Sequence, residues 1–182
     1  LSFFIWLEGT PISVWVRESP SLLGFPFILY LHTLGLAMIA GLSSAVALSL
    51  LLLHSPPRAA TWRGLFRLIW IGLGINVLSG LALLAAYPAK ALTNPVFYVK
   101  MLAIAAAVVI VHWLERELAV LRAVGLAATG ATLPPTGALP GPTSSQKRAA
   151  IALLALWLIA TFAGRLLAYT YTILMARDAQ FY

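Results

Sequence analysis

Four long apolar stretches, each able to cover the hydrocarbon core of a bilayer, leave this chain few residues with which to build a water-facing surface. A helix needs about 20 apolar residues to cross, and residues 21–53, 68–86, 95–114 and 149–170 each supply such a run. Of the 182 residues, 9% are charged and 62% hydrophobic, whereas a soluble domain carries roughly a quarter charged residues. The pattern predicts an all-α integral membrane protein, a four-helix bundle (residues 20–182) with lipid as its outer solvent. Residues 1–19 precede it as a short interfacial helical segment. They lack a basic leader followed by an unbroken apolar run, so no cleavable signal peptide is expected in them.

Local signals mark several helix starts. Ser19-Pro20 and Asn94-Pro95 each place a capping side chain before a proline suited to the first helical position. Thr10 is expected to cap a short helix from Pro11 with Ile12, Trp15 and Val16 on one face, and Ser144 or Ser145 to cap the fourth span. Residues 125–146, uncharged and rich in Gly, Pro, Thr and Ala, read as a linker.

The net charge of +7 does not point to nucleic acid, because the basic residues sit in short connections, as topology determinants do. Arg58, Arg63 and Arg67 follow span one; Arg116, Arg122, Lys147 and Arg148 follow span three, against Glu115 and Glu117. The other side is nearly balanced: Glu8, Arg17, Glu18, Lys90, Arg177 and Asp178. Positive-inside logic therefore puts both termini on the periplasmic side of a bacterial cytoplasmic membrane. Tyr30, Tyr87, Tyr98, Tyr169 and Tyr171 fall near the outer ends of the helices.

Lipid tails are as apolar as leucine, so membrane helices associate through small residues and occasional polar contacts. Ala37, Gly41, Ala45 and Ser49 form a ridge on span one, Gly72, Asn76 and Gly80 on span two, and Ala160, Gly164 and Ala168 on span four. If the first ridge faces the bundle, His32, on the opposite side of span one, faces lipid or another protein. Asn76 reads as an interhelical hydrogen bonder.

Three histidines are the candidates for chemistry. His32 lies 22 residues before His54, about 33 Å of helix, so it is placed in the outer leaflet. His54 and His112 are placed in the inner leaflet, as ordinary interfacial residues, and His32 and His112 are not expected to share an iron. Lys100 and Arg165 join His32 at similar depth. These three form a candidate cofactor site, with His32 or Lys100 on a haem iron and Arg165 at a propionate. With no cysteine, thiolate sites and disulfides are excluded. Paired acids, phosphate-cradling loops and HExxH spacing are missing from the sequence.

The segments Trp6-Leu7-Glu8-Gly9-Thr10-Pro11, Val16-Arg17-Glu18-Ser19, Leu31-His32-Thr33-Leu34-Gly35-Leu36-Ala37 and Leu92-Thr93-Asn94-Pro95-Val96-Phe97-Tyr98-Val99-Lys100, within residues 5–112, resemble a group of small bacterial four-helix membrane proteins of unknown function. More distantly, a histidine in span one and a lysine opening span three resemble the HemJ-type protoporphyrinogen oxidases and the CopD-like membrane proteins. The HemJ resemblance implies bound b-type haem, at His32 and Lys100. The chain departs from that pattern in having Ala47-Leu48-Ser49 where a charged element is expected late in span one, and Leu29-Tyr30 where an acid precedes the histidine. These departures favour a chain kept for its shape. The expected function is a non-catalytic subunit of a larger respiratory or photosynthetic complex, with the bilayer and other membrane subunits as partners. The alternatives are a haem protein for electron transfer or porphyrinogen oxidation, and a subunit that contacts a pigment through His32.

Overall fold

The computed structural model describes residue 6 and residues 9–19, 21–53, 59–128 and 141–179. Every regular element among them is helical. In chain order these are α1 (Pro11–Glu18), α2 (Phe25–Leu36), a π-helical turn (Ala37–Gly41), α3 (Leu42–Leu52), α4 (Ala59–Ala86), α5 (Pro88–Leu92), α6 (Pro95–Ala128) and α7 (Ser144–Ala179). Four helical stretches are long and apolar enough to cross a membrane: Phe25–Leu52, Trp62–Ala86, Pro95–Val120 and Ser144–Leu167.

Their bounds differ from the sequence reading for identifiable reasons. Span one starts four residues late, because Ser19 and Ser21 turn the chain first. The Ser21 hydroxyl accepts from Leu23 N at 3.1 Å, and Gly24 becomes the cap. Span two starts early, since Arg63 and Arg67 are four apart and exposed on one face while Trp62, Phe66 and Ile69 are buried on the other. Charges read as a loop therefore belong to an amphipathic turn. For the same reason α6 runs past Glu115–Glu117, with Leu114 and Leu118 buried on a common face. At α7 the cap is Thr143 rather than Ser144 or Ser145. Gln146 N donates to Thr143 Oγ1 at 3.3 Å and Thr143 N donates back to Gln146 Oε1 at 3.0 Å, a reciprocal box. Residues 125–128 and 144–146 of the expected linker are thus helical; residues 129–140 lie outside the described residues. Asn94 Oδ1 accepts from Val96 N at 3.0 Å and Thr10 Oγ1 from Ser13 N at 3.4 Å, each followed by a proline at the helix start. Of the outer tyrosines, Tyr30, Tyr87, Tyr98 and Tyr169 are exposed, and the side chain of Tyr171 is not among those described.

The helices associate chiefly as two pairs, α2 on α4 and α6 on α7, and α3 joins the pairs by packing on α7. The first pair meets at glycine. A Cβ on Gly35 would lie 2.6 Å from the Asn76 backbone nitrogen, and one on Gly72 2.6 Å from Met38 Cβ. The second junction is a buried hydrogen bond, Trp157 Nε1 donating to Ser43 Oγ at 2.8 Å. The Ser43 hydroxyl in turn donates to Ile39 O, a carbonyl of the π turn. At the arginine-bearing end Trp70 Nε1 donates to Glu115 Oε2 at 2.8 Å, tying α4 to α6.

The shared core occupies the same half as those arginines. It is built from Ile39, Leu50, Ile69, Leu114, Leu153 and Trp157 with their neighbours. None of residues 25–35, 76–86, 95–102 or 161–167 belongs to it. Finally, α1 docks on the end of α4, with Ser13 Oγ donating to Ala85 O at 2.8 Å and Val16 buried. Trp15, expected to share the face of Val16, is instead exposed.

Candidate functional site

His32 faces α4, not lipid. The angular relation between His32 and the Ala37–Gly41–Ala45 ridge is as the sequence implies, but its premise is reversed. The ridge points outward, with all three residues exposed, and the imidazole points into the helix pair. Polar contacts decide the face. His32 Nδ1 lies 3.1 Å from Asn76 O and 3.2 Å from Ser79 Oγ, while Asn76 Nδ2 donates to His32 O at 2.9 Å. Gly80 makes room for the ring, since a Cβ there would sit 3.1 Å from His32 Cε1.

These contacts fix the tautomer of the neutral ring. A carbonyl only accepts, and the Ser79 hydroxyl already donates to Ile75 O at 2.6 Å. These two contacts call for a proton on Nδ1 and are shorter than the opposing approach of the Asn76 Nδ2 donor at 3.4 Å, which leaves the lone pair on Nε2. Nε2 has no hydrogen-bond partner among the described residues.

Lys100 lies on the other pair. Its chain runs along Gly164, where a Cβ would lie 3.8 Å from Cε and 3.9 Å from Nζ. It is half-buried and within electrostatic reach of His32. The structure thus brings His32 and Lys100 into one neighbourhood at the end of the spans remote from the core. Arg165 follows Gly164 by one residue, about 100° round the helix. It is exposed and makes no hydrogen bond or ion pair among the described residues.

The chain matches no family model, no curated protein and no solved structure.

A haem, as the HemJ-type resemblance implies, requires an axial lone pair and cations near its carboxylates. His32 Nε2 and Lys100 offer one of each. A second imidazole does not join them: His112 is exposed and its ring meets Trp70 edge-on at 5.9 Å. Trp70 lies six to nine residues along α4 from the His32 contacts at Asn76 and Ser79, or about 9–14 Å. Nor does His112 mark the end of its helix, which continues to Ala128. His54 lies outside the described residues. Among the described residues no three His, Asp or Glu side chains gather to hold a metal ion.

Sequence reasoning named Asn76 as an interhelical bonder but missed its partner. The available signal was the pairing of Asn76 and Ser79, three apart on one helical face, with a histidine on the neighbouring span. Ser43 and Trp157 were missed altogether.

Proposed function

We propose that this chain is a non-catalytic, multi-pass subunit of a larger complex in the bacterial cytoplasmic membrane. In this reading its four apolar helices stand as a bundle across the bilayer, with both termini periplasmic. The observation that supports it is the outward ridge of span one. Ala37, Gly41 and Ala45 are exposed at intervals of four, and a Cβ on Gly41 would meet nothing within 4 Å. A ridge without side chains lets a second backbone approach closely, which is how helices associate where lipid competes for apolar surface. The π turn over Ala37–Gly41 lies in the same stretch, and such turns gather at functional sites. The exposed Arg63, Arg67, Arg116, Lys147 and Arg148 support the orientation.

The test is native purification in mild detergent, with the wild type beside Gly41→Leu. The wild type is expected in a defined species with other membrane polypeptides in fixed ratio, and Gly41→Leu as a folded single chain. A wild type that runs alone, or a Gly41→Leu chain that keeps its partners, removes the reading. Orientation is tested separately. The chain has no cysteine, so Lys147→Cys should react with a membrane-impermeant maleimide only once the cytoplasmic face is opened.

A further inference from the structure

The two helix pairs part at the end that holds His32. No residue of 25–35, 76–86, 95–102 or 161–167 enters the shared core, and the main packing between the pairs, α3 on α7, lies in the other half. His32 belongs to one pair and Lys100 to the other, and the two lie within electrostatic reach of each other. His32 is pinned to α4, so its free atom is an acceptor, Nε2. Lys100 contributes an ammonium group with no acceptor among the described side chains. Glu18 is paired with Arg17 at 3.0 Å, and Glu115 and Glu117 lie at least four turns further along α6.

Depth adds a constraint. Lys100 is five residues past Pro95 and His32 seven past Phe25, placing them about 8–11 Å inside their helix starts. A cation held there in apolar surroundings calls for an anion, and the chain provides none among the described side chains. A membrane amphiphile with an acidic head can supply one and keep its tail in the hydrocarbon.

The geometry points to a binding site for an acidic amphiphile between His32 and Lys100, its anionic oxygen accepting from Lys100 Nζ and a head-group hydroxyl donating to His32 Nε2. Phosphate and carboxylate heads share this chemistry, and a phospholipid or a free fatty acid can bring it. The inference does not depend on the subunit reading, because it concerns the opposite side of span one from the Gly41 ridge.

The test is equilibrium binding to the purified, delipidated full chain in neutral detergent, read by native mass spectrometry and by thermal shift. The probes are phosphatidylglycerol, oleate and phosphatidylcholine. One phosphatidylglycerol or oleate per chain is expected, with phosphatidylcholine binding at least tenfold more weakly. The stronger of the two acids identifies the source. Lys100→Gln should weaken acid binding about tenfold or more, as loss of a charged hydrogen bond does, and Lys100→Arg should retain most of it. Gly164→Leu, which fills the lysine's slot without removing its charge, should also weaken it, whereas Lys147→Gln at the far end should not. Helical content by circular dichroism separates loss of binding from loss of fold. Equal binding by wild type and Lys100→Gln would overturn the proposal, as would a preference for phosphatidylcholine. So would a Soret band in the native preparation that disappears in His32→Ala, since the site would then hold haem.

Discussion

The half of the molecule that holds the core and the half that holds His32 are built from the same four helices and differ in what joins them. At the core end Trp62, Phe66, Leu114 and Trp157 fill the space between helices, and a buried hydrogen bond spans α3 and α7. At the His32 end large apolar side chains such as Leu78, Leu102 and Phe162 turn outward. What meets across α2 and α4 there is glycine against backbone, plus a small polar cluster. The contrast shows two ways of associating helices in a chain with little charge. One removes apolar surface from its surroundings by volume. The other brings backbones close and lets a few polar atoms choose the face.

Substitutions can break that contrast. The largest effect is expected for Trp157→Ala, about 3–5 kcal/mol as for other large-to-small core changes. Phe162→Ala, five residues along the same helix and 68% exposed, should change stability by no more than about 0.5 kcal/mol. Equal losses in a reversible detergent-unfolding titration would mean that the core is not confined to one half. Next comes Gly35→Ala, whose new methyl meets the Asn76 backbone rather than a yielding side chain. A loss of about 1–3 kcal/mol is expected, typical of overpacking. A smaller loss follows for Asn76→Leu, about 0.6 kcal/mol and at most about 1.7, the range for interhelical hydrogen bonds in membranes. It should appear as faster amide exchange in α2 with α7 unaffected, and an effect spread evenly over both helices would refute the local role of the cluster. Gly41→Ala, with open space about its Cβ, should leave the isolated chain's unfolding midpoint unchanged.

The four apolar helices were legible because their signal is additive over 20 or more residues and needs no knowledge of partners. Their ends were less so. Arg63 and Arg67 interrupt a hydropathy profile but not a helix, since four-residue spacing keeps them on one exposed side. The face presented by span one was misread for a physical reason. Two stripes, His32–Gly35–Ile39 and Ala37–Gly41–Ala45, both contain small residues, and lipid imposes no hydrophobic penalty to tell inside from outside. The choice depends on whether a neighbouring helix offers partners to the polar member. Asn76 and Ser79 do so for His32, which becomes visible only once spans one and two are paired. The closeness of Lys100 to Gly164 is of the same kind, a contact between elements more than 60 residues apart that no periodicity encodes.

The glycine contacts between α2 and α4 have a mechanical consequence. With Gly35 against the Asn76 backbone and Gly72 against Met38, these two helices cannot slide or roll past one another without backbone collision. Any relative movement of His32 and Lys100 must therefore come from the α6–α7 pair shifting as a unit against α2 and α4, and the Trp157–Ser43 and Trp70–Glu115 hydrogen bonds both resist it.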